Sequence, residues 1–271
     1  EMRFWLGEFR FRRQAYAEAD EALAAFLKAA PQHALAPEAL YKRGWCARHG
    51  GRHEEAGAHF KALYTQWPKH ALASEAALRA GQAAEARQQQ AEALDAYRQA
   101  RALAPAGEAA EQAWLAETVI LLGQGAAQQA LEAASDFTAK HPASPLLPYA
   151  HLYRAEALSQ LKRFDEALKA YQSPSLQQKA TVQEATFGAA WCLDRLQRPA
   201  EAAAAYEQVA ATGKGRADEA AYLAARAREQ AKEYDRARPA YAQLAADPAQ
   251  PPARRDEAAY REAYCAWQAK D

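Results

Sequence analysis

Three sets of residues in this sequence have side chains suited to chemistry. The first is a histidine cluster, His49, His53 and His59, beside Glu54 and Glu55. A metal site needs three or four converging ligands. His49 and His53 flank Gly50-Gly51, so they share no helical face and read as solvated turn residues. The second set is Cys46, Cys192 and Cys265. Three cysteines far apart form neither a disulfide framework nor the short spacing of a zinc site. The third is ATGKGRAD at 211–218. A phosphate-binding loop requires GxxxxGK and then Ser or Thr, after a strand. Here Gly215 follows Lys214 and no strand signal precedes it, so the stretch reads as a loop between helices. No nucleophile–base pair is suggested anywhere. The sequence therefore reads as non-enzymatic, with no catalytic residue, no metal ligand and no cofactor.

The bulk numbers exclude further classes. The chain has 271 residues, half of them hydrophobic, and its 34 basic residues balance 34 acidic ones. That zero net charge lacks the electrostatic footprint expected for nucleic acid or an anionic membrane, although local patches remain open. The most apolar run, AWLAETVILL at 113–122, is interrupted by Glu117. It has about half of the ~20 residues a membrane span needs, so no direct membrane insertion is expected. The opening EMRFWLGEFRFRR contains Glu1 and Glu8 and has no apolar core, unlike a signal peptide. It begins in mid-pattern, which suggests a piece of a longer protein.

The elements that must carry any site are set by a repeat. Gly7, Gly44 and Gly81 are 37 residues apart, as are Ala19, Ala56, Ala93, Ala130 and Ala167. Leu23, Phe60 and Tyr97 keep the step, and so do Pro31, Pro68, Pro105 and Pro142. The step then becomes 35, through Ala202 and Ala237, with Tyr171, Tyr206 and Tyr241 alongside. The stretch 256–271 repeats the pattern of 218–233. Within each unit, apolar residues at helical spacing, a Gly-rich or Arg-Pro break and a terminal proline predict two helices. Seven helical hairpins and a closing helix follow. Small residues such as Gly44 and Ala56 allow close helix approach beside large ones such as Phe60 and Tyr97. One hairpin cannot bury its own apolar face, but stacked neighbours can. The segment QSPSLQQKA at 172–180 interrupts a second helix after Tyr171, giving a shortened helix with a kink or a hinge at 172–182. The cysteines fall at one repeat position, two residues after the small residue of the first helix, which favours packing.

These residues carry a resemblance to the tetratricopeptide repeat (TPR) superfamily. In one unit they are Leu40, Gly44, Ala56, Phe60, Leu63 and Pro68; in the next, Ala77, Gly81, Ala93, Tyr97, Ala100 and Pro105. The resemblance covers the whole chain, more loosely beyond residue 172, where Ala190 and Ala225 replace the glycine, as Thr118 and Ala155 do earlier. It implies an all-α fold, a right-handed α-solenoid running as a single array over 1–271. The joints after the proline, as in PQHALAPEALY, are longer than usual. In this they resemble bacterial envelope TPR proteins, the outer-membrane-assembly lipoproteins and the Tol-Pal accessory protein. A periplasmic or envelope location is the corresponding expectation.

In TPR arrays the first helices line a concave face. Helical phase from the small residue gives the candidate groove: Phe4 and Phe11; Tyr41, Trp45 and Arg48; Glu85; Phe187, Trp191 and Asp194; Tyr222 and Arg226; Tyr260, Tyr264 and Trp267. Aromatic residues combine large contact area with few rotors. The alternative for any one of them is packing between neighbouring first helices. The carboxylate clamp of chaperone-type TPR adaptors is disfavoured, because Phe4, Glu8, Lys42, Glu75 and Arg79 occupy the matching places and only Arg79 suits. The leading expectation is a scaffold that binds a protein or peptide in this groove. Self-association through open repeat ends, and presentation of substrates within a larger multidomain protein, are the alternatives.

Overall fold

The computed structural model describes residues 1–269; Lys270 and Asp271, at the end of the expected closing helix, lie outside the described residues. Among the described residues there are fifteen α-helices, a single 3-10 turn and no strand. The hairpins are α1 (Met2–Arg12) with α2 (Tyr16–Ala29), α3 (Ala36–His49) with α4 (His53–Gln66), and α5 (Ala73–Ala86) with α6 (Gln90–Leu103). They continue with α7 (Glu108–Gly123) and α8 (Ala127–Lys140), then α9 (Leu147–Gln160) and α10 (Phe164–Tyr171). Next come α11 (Val182–Arg195) with α12 (Pro199–Ala210), α13 (Ala217–Gln230) with α14 (Tyr234–Ala246), and the closing α15 (Pro252–Gln268). This is the all-α solenoid organisation that the repeat predicts. The chain forms two compact units, Glu1–Leu147 and the remainder from Pro148.

Each first helix ends in the same way. Residues 14, 51, 88, 125, 162, 197 and 232 have φ near +60° to +72°. They follow the 37- and 35-residue steps of the repeat. The residue after each donates its N–H five residues back, as Arg52 N to Ala47 O at 2.9 Å and Gln89 N to Ala84 O at 2.9 Å, satisfying the helix's orphan carbonyls. Two of the seven positions are glycine, Gly51 and Gly125; the others are Gln or Lys. Helix termination thus relies on tertiary position as well as on the glycine that favours a left-handed residue.

The joints are built locally too. The second helices stop just before Pro31, Pro68, Pro105 and Pro142, because proline disfavours helical geometry in the residue it follows. His33 Nδ1 then accepts from Leu35 N–H at 3.1 Å, His70 Nδ1 from Leu72 N–H at 3.2 Å, and Ser144 Oγ from Leu146 N–H at 3.1 Å. These residues fall on the 37-residue step, with Gly107 at the intervening place.

In the first unit the core fits rings against glycines. A Cβ on Gly44 would lie 2.5 Å from Phe60, and one on Gly81 would lie 2.3 Å from Tyr97. Phe60 and Tyr97 are fully buried, each stabilising by ~1.5–3 kcal/mol. At the fourth hairpin the sizes reverse: Thr118 takes the glycine's place and Ala134 the ring's, both fully buried. In the second unit Ala155, Ala190 and Ala225 stand at the small position, with Tyr171, Tyr206 and Tyr241 as the buried rings. A second contact there sets Gly188 of α11 against Tyr171, where a Cβ would approach to 2.3 Å.

The break after Tyr171 lies inside the second unit. α10 has 8 residues and is followed by the 3-10 turn Pro174–Leu176. Leu176 is fully buried, and Thr181 Oγ1 donates to its carbonyl at 3.0 Å.

Candidate partner-binding site

Within each unit, polar side chains link the first helices of adjacent hairpins, and one polar device recurs there. Tyr41 Oη donates to Glu75 at 3.4 Å, and Arg79, one turn on, pairs with Glu75 at 2.6 Å. In the second unit Tyr222 Oη donates to Glu257 at 2.7 Å, and Arg261 pairs with Glu257 at 3.0 Å. A further cross-link joins Arg48 Nη1 to Gln82 at 3.1 Å and, with the polarity exchanged, Arg226 to Asp194 at 3.2 Å. Tyrosines from second helices reach the same face: Tyr97 Oη donates to Glu85, and Tyr241 Oη to Glu229 at 2.7 Å. Burial and the neighbouring carboxylate hold both phenols protonated, well above their usual range.

The sequence-predicted residues divide into distinct groups. In the first unit Phe11, Tyr41 and Trp45 line a depression of about 270 Å³ with Tyr16, Lys42 and His49. His49 stacks flat on Tyr16, with ring centres 4.1 Å apart. Trp45 is half-buried and covered by two guanidiniums, Arg48 at 5.0 Å and Arg79 at 5.2 Å from its ring centre. Glu85 is exposed at the end of α5. In the second unit Trp191 is 37% exposed. Tyr222, Asp194 and Arg226 are half-buried in the cross-links above. Tyr260 and Trp267 stand exposed on α15, with Tyr264 half-buried between Tyr234 and Trp267.

Phe4 and Phe187 require correction as open groove contacts. Each is only 3% exposed. Phe4 packs edge-on to Phe26, and Phe187 lies against Tyr206 beneath the Arg216 guanidinium, 3.4 Å from its ring centre. Both satisfy hairpin cores, so helical phase alone overestimated their reach.

A cavity of about 580 Å³ opens between α9 and α11. Its walls include Tyr149, Tyr153, Trp191 and the remaining edge of Phe187, with Glu156, Glu184 and Arg216 as charged groups. Burial raises the Glu156 carboxyl above its ordinary range, although Arg216 opposes this. Tyr149, Tyr153 and Arg216 were not predicted. The first two sit six and two residues before Ala155, outside the phase rule, and Arg216 comes from the joint before α13.

The other chemical candidates are structural in position. All three cysteines are buried. Burial pushes the Cys46 and Cys192 thiols up to about 11 and raises Cys265, so none is an activated thiolate. The 211–218 loop is tied by Gln183 Nε2, which donates to Lys214 O at 2.6 Å. Lys42 pairs with Glu8 at 2.6 Å, and Arg79 pairs with Glu75, so the cations nearest a carboxylate clamp are already engaged. Among the described residues no three of His, Cys, Asp and Glu are grouped as metal ligands, and no helix is long and apolar enough to cross a membrane.

Comparison with solved structures gives likenesses in fold. The C-terminal part of a TPR repeat-containing protein from Cytophaga hutchinsonii superposes with a TM-score of 0.69 at 17% identity, covering 95% of this chain and 98% of that one. A tetratricopeptide repeat protein from Parabacteroides merdae gives 0.59 at 14% identity, covering 98% of both chains. PilW, a widely conserved type IV pilus biogenesis factor, gives 0.62 at 15% identity, covering 82% of this chain and 97% of its own. No curated protein sequence matches. The sequence matches the tetratricopeptide repeat family over residues 12–71, 115–175 and 187–253. With that match over most of the chain, and hairpins built to one repeated plan, the protein belongs to the tetratricopeptide repeat family.

Proposed function

We propose that the protein is a non-enzymatic scaffold that takes a peptide segment of a partner protein on its first-helix face, centred on the α9–α11 cavity. The observation that carries this reading is Trp191: it is exposed on the wall of an aromatic cavity of about 580 Å³. That volume lies within the range of ligand sites, and Trp and Tyr dominate binding hot spots. Glu156, Glu184 and Arg216 in the cavity wall supply charged groups for the polar atoms of such a segment. The long joints, and the likeness in fold to a pilus biogenesis factor, suit a setting in bacterial envelope assembly.

The test is selection of displayed dodecapeptides on the immobilised protein, followed by calorimetric titration of the selected peptide. Trp191→Ala should weaken binding by about 2 kcal/mol or more at unchanged helicity. Equal binding to wild type and Trp191→Ala would place the site elsewhere and sink this assignment.

A specific observation favours a second reading, self-association. Met2, Trp5, Leu6 and Phe9 form an exposed apolar stripe along α1, and Tyr260 and Trp267 are exposed on α15. Such stripes mark contact surfaces. Sedimentation should show mass rising with concentration, and Trp5→Lys with Phe9→Lys should abolish the rise. Monomer at all concentrations would dismiss this reading.

A further inference from the structure

A larger cavity lies away from the predicted groove positions. It measures about 740 Å³ and sits in the first unit, among α6, the joint after it, α7 and the end of α8. The chain has no net charge, yet this cavity presents Arg98, Arg101 and Lys140 around the buried Glu117. Arg98 Nε donates to one Glu117 oxygen at 2.9 Å and Arg101 Nη1 to the other, so both oxygens are occupied. Glu117 is 4% exposed, and an ionised carboxylate at that depth requires such pairing. Two guanidiniums against one carboxylate leave a positive charge uncompensated. Lys140 adds another, and its pairing with Asp136 is weak because both side chains are 59% exposed.

The wall beside these cations is Trp114. Arg101 lies over its ring at 3.7 Å and Lys140 at 5.0 Å from the ring centre. The indole is 4% exposed, and its Nε1–H has no acceptor. A buried donor without an acceptor is unusual in a folded protein and calls for an explanation. The neighbouring His141 is already engaged by Glu111 at 3.1 Å. The floor is apolar, formed by Ala102, Pro105 and Ala106.

We propose that this cavity is a second binding site, one that takes a carboxylate group of a peptide. The carboxylate would meet the Arg98 and Lys140 cations and accept from the Trp114 indole, while its aliphatic stem lies on the floor. Guanidinium forks match a planar carboxylate, and Glu117 holds both guanidiniums in place before a ligand arrives. The carboxylate could belong to a Glu or Asp side chain or to a chain terminus.

The test follows the indole N–H signals of the six tryptophans by NMR, with the Trp114 signal assigned through Trp114→Phe. The probes are acetyl-tetraglutamate amide, its tetraglutamine counterpart, and trialanine with a free or an amidated terminus. A saturable shift of the Trp114 signal alone, with tetraglutamate or free trialanine, is the expected result. The first probe would assign side-chain carboxylates and the second chain termini. Lys140→Gln and Arg98→Gln should each weaken binding about tenfold, as the loss of one charge-assisted contact does, and Lys140→Arg should restore it. Thermal unfolding of each variant separates lost binding from lost folding. The proposal is overturned by shifts common to all the indoles, by an equal response to tetraglutamine, by displacement with equimolar inorganic phosphate, or by folded variants that bind as wild type does.

Discussion

Trp45 and Trp191 occupy the same repeat position, one residue after the small residue of a first helix, and they meet different fates. Trp45 lies between Arg48 and Arg79. At the places equivalent to those arginines the second unit has Asp194 and Leu223. Asp194 turns to Arg226 at 3.2 Å, and among the described residues the cation over Trp191 is Arg195, at 5.8 Å. In the first unit the aromatic ring is spent on holding adjacent first helices together. In the second it is left open beside a cavity. A repeat fixes where a side chain projects; its neighbours on the next helix decide whether it is available.

The largest test of that contrast is truncation. Trp45→Ala should cost about 3 kcal/mol of stability, as a half-buried tryptophan packed on Phe60 and two guanidiniums. Trp191→Ala should cost about 1 kcal/mol or less. Urea unfolding of the two variants measures the difference, and equal losses would erase the distinction.

A smaller effect separates the second-helix tyrosines. Tyr97 Oη is bonded to Glu85, whereas Tyr206 Oη is buried without a partner. Tyr97→Phe should cost about 1–2 kcal/mol, and Tyr206→Phe should be neutral or stabilising. Denaturant midpoints would show the opposite signs.

Leu223→Arg gives the second unit the cation that the first one has. It should shield Trp191 and stabilise by about 0.5–1 kcal/mol. The expected readout is reduced acrylamide quenching of Trp191 with weaker capture of the selected peptide; unaltered quenching would show that the neighbour does not control access.

The smallest effect is pH dependence. Burial lowers His59 in the first unit and His151 in the second, with nearby arginines adding to it. A lowered folded value means that the unfolded chain takes up protons first. Stability should be full above pH ~6.5 and fall below it until the folded histidines also protonate. His59→Gln should flatten its unit's share of the slope by a few tenths of a kcal/mol, seen in melting temperature between pH 7.5 and 5.5.

Much of the fold was legible because its determinants are local or strictly periodic. The prolines at 31, 68, 105 and 142 mark joints, and the spacing from Gly44 to Phe60 and from Gly81 to Tyr97 pairs the close contacts. The left-handed turn residues were only partly legible. Gly51 and Gly125 signal themselves, but Gln14, Gln88, Lys162, Gln197 and Lys232 adopt the same backbone through their position in the repeat. The candidate site was legible as a face and not as a surface. Helical phase placed Trp191 and Phe187 together, and packing against Tyr206 then withdrew Phe187. The cavity around Trp114 left a single trace in the sequence, the acidic Glu117 inside the most apolar run.

The sequence by itself determined the helices, their pairing into hairpins and the stacking of hairpins within each unit, because a periodic pattern of small and large apolar residues fixes which faces meet. Tertiary structure decided which aromatic rings are open, which charges cancel and where the cavities lie. Those outcomes depend on contacts between residues roughly one repeat apart, such as Arg48 with Gln82 and Asp194 with Arg226. Burial and pairing in such contacts are set by geometry, and the identity of one residue alone does not carry it.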